Sequence, residues 1–268
     1  MHCFTLSFIG FLALTLWTPS FAHAQPETFT IAAANSVKDA LRKILPLFEL
    51  EHPQVHVRVI YGPSQTLRKQ IEEGAPVDVF LPSLMEEIDQ LDHKGLVIQG
   101  TKRVYAGTSL VLITGTTLPA PITSIDDLRK VPIRRIAIGD PKSSSVGKVA
   151  AQFLKYTKLE PALKSQYVFG EHSRAVLDLV AKGEAEIGVV YRTDAVTEGR
   201  VRILDTAPAE SHNPVRYGVA VVWTARNISG AADFIQFMLS SPIQAQLKQF
   251  GFDQVSDIGL ARTQEVKP

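Results

Sequence analysis

A single cysteine, Cys3, is present in 268 residues, and it lies in an amino-terminal segment read below as removed. The mature chain therefore has no thiol nucleophile, no disulfide framework and no thiolate metal site. Excess charge is missing too. Lys and Arg number 28 against 27 Asp and Glu, a formal net charge of +1, so there is neither the basic stripe that nucleic acid binding uses nor an acidic tail. Catalytic signatures fail in turn. Ser145 to Lys148 spells S-x-x-K, but the S-D-N and K-T-G partners of penicillin-binding enzymes are absent. A phosphate loop from Gly139 to Lys148 would need Gly where Lys142 stands and Ser or Thr where Val149 stands. His52 and His56 are four apart, but Pro53 between them breaks the helix that would make them a metal pair.

What is there begins with an apolar run from Phe4 to Trp17, then Pro19 and Ala22-His23-Ala24 before Gln25. This reads as a secretory signal peptide, residues 1–24, with an A-x-A cleavage site. The run is short for a bilayer span and no second one follows. No cysteine stands just after it for a lipid anchor, so the mature protein is expected to be soluble in the periplasm.

From Thr28 onward strand and helix signals alternate. TFTIAAA, VHVRVIYG and VDVFLPS are strand-like, and SVKDALRKILPLFELEH, SQTLRKQIEEG and MEEIDQLDHKG are helix-like, the last with Gly95 at the C′ position. The second half repeats the pattern with RRIAIGD, YVFG, EIGVVY and YGVAVVWT as strands. Between and after them, SSSVGKVAAQFLKYTK, SRAVLDLVAKGE and GAADFIQFMLSSPIQAQLKQFG read as helices. Such βαβ units pack on a mainly parallel sheet, which gives an α/β fold class. Pro119, Pro121 and Pro132 mark a surface connection.

Four strand-to-helix junctions carry serine: Ser36, Ser64, the run Ser143 to Ser145, and Ser173. Helix starts have unpaired N–H donors, and ligands of open α/β sheets bind beyond the carboxyl ends of strands. A lone serine at a helix start is most often an ordinary N-cap. Recurrence in both halves, beside the small residues Ala32 to Ala34, Gly62 and Gly147, points instead to an anion site. Asp78, Asp140 and Asp194 near strand ends are read as loop or helix-end holders, and His172 as a rim or structural residue.

The segments AAANSVKDAL, YGPSQTLRKQIEEGAPVDVFLPS, IAIGDPKSSSVGKVAAQFL, RAVLDLVAKGEAEIGVVYRTDA and SPIQAQLKQFGF occur in order from about Thr28 to Phe252. Together they resemble the periplasmic molybdate-binding proteins of ABC transporters. The resemblance implies a type II periplasmic binding protein, in which two α/β domains joined by two crossing segments shut on an oxyanion. Domain I is then residues 25–109 and 218–268, and domain II residues 110–217. Ser36 and Ser64 would supply hydroxyl and N–H contacts, Val146 and Ser173 backbone N–H donors, and Tyr191 a phenol. No cofactor is implied, and molybdenum would be held only as the oxyanion, with no direct protein ligand to the metal. The partners implied are an inner-membrane permease and the small anion, with the protein a monomer. The chain departs from the family pattern at DPKSSSVG, at EHS and at Pro63, positions that bear on selectivity.

A pocket of neutral N–H and O–H donors holds a fully deprotonated tetrahedral dianion, because a proton left on the ligand would find no acceptor. Molybdate and tungstate are nearly isosteric, whereas sulfate is smaller. The alternatives are another oxyanion or small solute, or a secreted hydrolase of phosphate or sulfate esters.

Overall fold

The computed structural model describes residues 27–116 and 122–257. The expected signal peptide over residues 1–24, with Cys3, lies outside the described residues, as do Pro119 and Pro121.

The first half runs β1 Glu27–Ala34, α1 Lys38–Glu51, β2 Val55–Gly62, α2 Ser64–Glu72, β3 Val79–Leu81, α3 Met85–His93 and β4 Arg103–Thr108. Then come β5 Leu110–Gly115, β6 Ile136–Gly139, α4 Ser145–Tyr156, α5 Glu160–Leu163, β7 Tyr167–Gly170, α6 Ser173–Ala181, β8 Ile187–Tyr191, α7 Arg192–Ala195 and β9 Val201–Thr206. β10 Val215–Val221, α8 Ile228–Leu239 and α9 Ser241–Gln249 complete the described chain.

The strands form two five-stranded sheets, β2-β1-β3-β10-β4 and β7-β6-β8-β5-β9. In each, one strand runs against the rest: β10 is antiparallel to β3 and β4, and β5 to β8 and β9. These reversed strands follow the two crossings. The first crossing is at Ser109, between β4 and β5, and the second lies between Thr206 and Val215. Val215 already pairs with Thr108 in the first sheet, so the return comes earlier than the boundary at Tyr217 read from the sequence. What stands at Tyr217/Gly218 is a register shift within β10.

Burial explains why these segments take these forms. β3 and β8 lie inside their sheets and are buried along their length, so they read as unbroken apolar runs, whereas β1 alternates Thr28 and Thr30 with Phe29 and Ile31 before its run of alanines. α1 buries Ala40, Leu41, Ile44, Leu45 and Phe48 along one stripe. Pro46 sits on the solvent face, as does Arg42, whose carbonyl it frees, so that carbonyl is not buried without a partner. Phe48 packs at 5.2 Å from both Phe234 and Phe237, tying α1 to α8. Gly95 has φ +70°, the left-handed helix end expected of it.

Two strands were not legible. β4, RVYAGT, has few β-branched residues, and β9, VRILDT, is a half-exposed edge strand whose end was read as loop. The long terminal helix also divides at Ser240, where ψ of 145° and Pro242 stop α8 and start α9.

Candidate oxyanion site between the two sheets

Strand ends and helix starts from both sheets meet around one small hollow. Ser36, Ser64, Val146, Ser173 and Tyr191 all line it, together with Ser83, Ser144, Ser145, Glu171 and His172. The room for the centre of a water-sized sphere is about 20 Å³. A single water needs about 10–15 Å³ on that measure, so the hollow suits a compact ion and not an organic solute.

The serines are not ordinary caps. The N-cap positions of α2 and α4 are Pro63 and Ser144, and neither makes a side-chain capping bond. α6 is capped by His172, whose Nδ1 accepts from Ala175 N at 3.1 Å. Ser64, Ser145 and Ser173 are each the first helical residue instead. Their hydroxyls are thereby left for other work.

That work follows from which lone pairs are taken. Ser36 Oγ accepts from Tyr217 Oη at 2.9 Å, Ser64 Oγ from Ser83 N at 3.1 Å, and Ser173 Oγ from Tyr191 N at 3.0 Å. An oxygen already accepting keeps its own O–H proton to donate. Ser64 Oγ is also 3.2 Å from Ser83 Oγ. The hydroxyls of Ser144, Ser145 and Tyr191 are buried and have no hydrogen-bond partner in the protein. First-turn N–H groups of α2, α4 and α6 add donors that have no carbonyl four residues back.

Charge is kept to the edges. Neither Lys nor Arg lines the hollow, and its one carboxylate, Glu171, is on an exposed residue. His172 is held neutral: burial lowers its pKa, and an Nδ1 that accepts from Ala175 N carries no proton. Burial pushes the Tyr191 phenol well above its ordinary range, with Tyr217 adding to the shift, so it stays a donor.

Ion pairs join the two halves on either side. Lys148 on α4 reaches Glu86 at 3.1 Å and the fully buried Glu87 at 3.8 Å on α3, and Arg68 donates to Glu87 at 2.8 Å. Arg174 on α6 pairs with Asp39 on α1 and lies 3.6 Å from Asp194. The opposed lobes are thus clasped around the hollow.

Three residues that matter here were missed in the sequence. Ser83 follows β3 and precedes α3, the same strand–serine–helix signal as the others. Tyr217 sits mid-strand and touches Ser36 only through tertiary folding, as does Thr193, 3.2 Å from the Tyr217 hydroxyl. No local signal marks either.

Of the three aspartates, Asp78 accepts from Thr30 N and Arg226 N, and Asp140 from Lys142 N, which makes both loop holders. Asp194 differs. It is fully buried with neither oxygen in a hydrogen bond of good geometry. Burial raises its pKa to about 6, and Ser173 and Arg174 offset that only in part, while Asp39 and Asp178 add to it. Its folded value lies above its unfolded one, so its contribution to stability is full below about pH 4 and lost as pH rises through about 6. Asp194→Asn removes this dependence. By urea denaturation, the variant should gain on the wild type by up to about 3 kcal/mol between pH 4 and pH 8; a constant gap would show that Asp194 does not titrate this way.

Among the described residues no helix is long and apolar enough to cross a membrane, and no group of three or more His, Cys, Asp or Glu could hold a metal ion. Similarity to known proteins agrees with the geometry. The molybdate-binding protein ModA of Haemophilus influenzae is 31% identical over 245 residues, covering 90% of this chain and 95% of that protein. The periplasmic molybdate-binding protein of Azotobacter vinelandii superposes with a TM-score of 0.76 at 22% identity, over 84% of this chain and 98% of that one. The sulfate-binding protein SubI of Mycobacterium tuberculosis has the same TM-score of 0.76 at 19% identity, over 90% and 91%; these two likenesses speak to the fold alone. The family model for bacterial extracellular solute-binding proteins matches residues 29–253, and the chain belongs to that family.

Proposed function

We propose that the protein captures molybdate or tungstate between its lobes and delivers it to the membrane permease of an ABC transporter. It acts as a monomer in the periplasm after loss of residues 1–24. The observation that carries this reading is the polarity of the hollow: the Ser36 and Ser64 oxygens already accept from Tyr217 and Ser83, so each hydroxyl keeps a proton to donate, and neither Lys nor Arg lines the hollow. Ser36, Ser64 and Tyr191 then bind through hydroxyls, and Val146 and Ser173 through backbone N–H groups. The 31% identical H. influenzae protein, named for molybdate, supports the choice of anion. The protein is a solute-binding protein and not an enzyme, and a panel of ester substrates should show no turnover.

Hydrogen bonds to a charged partner contribute about 1.5–3 kcal/mol each, and five to seven of them reach micromolar to nanomolar affinity after ordering costs. Contacts from both lobes are complete only in the closed form, so binding shifts the population toward closure, which a permease can read. Titration calorimetry on the mature protein should give micromolar or tighter binding of molybdate and tungstate. Sulfate, smaller and unable to reach every donor, should bind far more weakly. Sulfate binding tighter than molybdate would overturn the choice of ion.

A further inference from the structure

The turn before α4 is built to aim hydroxyls. Asp140 sets it: its carbonyl accepts from Ser143 N at 3.2 Å and Ser144 N at 2.8 Å, and its carboxylate from Lys142 N at 2.9 Å. Of the three consecutive serines, Ser143 is exposed while Ser144 and Ser145 are buried at 2% and 6% exposure. Ser144 stands at the N-cap position, yet its side chain does not accept from the first turn of α4. A Cβ at position 139 would lie 2.7 Å from Ser144 Oγ, so glycine there is what makes room for that hydroxyl. Both residues line the hollow, and neither hydroxyl oxygen has a hydrogen-bond partner in the protein.

A buried hydroxyl with no partner is costly, and a capping serine that does not cap has given up its usual reward. We propose that the Ser144 and Ser145 side chains are ligand-binding groups of the second lobe, donating two O–H hydrogen bonds to the oxyanion beyond the backbone N–H of Val146. The inference rests on the oxyanion-binding reading above and deepens it. With these two, the second lobe grips through side-chain hydroxyls as the first does through Ser36 and Ser64. Because neither hydroxyl is held by another protein group, both can rotate onto whichever ligand oxygen closure presents, a freedom that backbone donors lack.

The signature of this role is opposite movement of affinity and stability. Calorimetric titration of Ser144→Ala and Ser145→Ala with molybdate, tungstate and sulfate should show molybdate affinity falling about 5- to 30-fold for each and over 100-fold for the pair. Thermal unfolding without anion should show the melting temperature of each variant unchanged or raised, since a buried unpartnered polar group is removed. Wild-type molybdate affinity in both single variants and the pair would overturn the inference and leave the functional reading standing. Affinity and anion-free melting temperature falling together would also overturn it, because the serines would then be structural. A wild-type protein that binds no tetrahedral oxyanion would overturn both.

Discussion

Ser64→Asp should abolish oxyanion binding while leaving the fold intact. The substituted residue is the first of α2, where a carboxylate meets the positive end of the helix dipole and is favoured. Its oxygen can still accept from Ser83 N, as the serine oxygen does at 3.1 Å. The same charge now stands on the wall of a hollow lined by no Lys or Arg. Unit charges 4 Å apart interact by about 4 kcal/mol at an effective dielectric of 20, and a dianion doubles that. Even half of the resulting repulsion, about 4 kcal/mol, is nearly a thousandfold in dissociation constant. Calorimetry should therefore detect no binding at micromolar to sub-millimolar molybdate, with a melting temperature at or above that of the wild type. Retained micromolar binding would remove Ser64 from the site. The milder Ser64→Ala deletes a donor without adding charge and should weaken binding only about tenfold.

That contrast bears on how much of the site could be read from the chain. Ser36, Ser64 and Ser173 were visible because a strand–serine–helix junction is a local pattern, and local patterns survive in sequence. What could not be seen was which way each hydroxyl faces. A serine read as a helix cap and a serine offering its proton to a ligand look identical in a row of letters. The difference lies in tertiary partners such as Tyr217, 181 positions from Ser36, and Ser83, 19 positions from Ser64. The fold was legible for a similar reason. β8 is an unbroken apolar strand, β1 alternates and then runs apolar from Ile31 to Ala34, and α1 has a clear stripe, whereas β4 and β9 gain their strand form from pairing with β10 and β5. The crossing was placed slightly late because strand β10 begins two residues before Tyr217, at Val215, and Arg216 breaks its apolar run.

Gly147→Ala tests the backbone on which the second lobe's donors depend. α4 approaches β6 so closely that a Cβ at position 147 would lie 2.5 Å from both the carbonyl carbon and the oxygen of Gly139, and 2.6 Å from the carbonyl carbon of Asp140. Those are main-chain atoms of a buried strand and the turn that follows it, so no rotamer change relieves the clash. The start of α4 must withdraw, and it carries Ser144, Ser145 and the Val146 N–H away from the hollow. Its buried face of Val149, Ala150, Phe153 and Leu154 is repacked in the process. Overpacking of this kind costs about 1–3 kcal/mol of stability. Binding should suffer more, because several donors miss the ligand at once and hydrogen bonds weaken steeply with distance and angle. A loss of over 100-fold in molybdate affinity is expected, about 2.7 kcal/mol or more, along with a clear drop in melting temperature. Gly199→Ala is the matched control: nothing lies within 4 Å of a Cβ there, and both quantities should stay at wild-type values. If Gly147→Ala instead bound molybdate like the wild type, the start of α4 could not be supplying donors, and the second lobe would have to grip the ligand through Ser173 and Tyr191 without it.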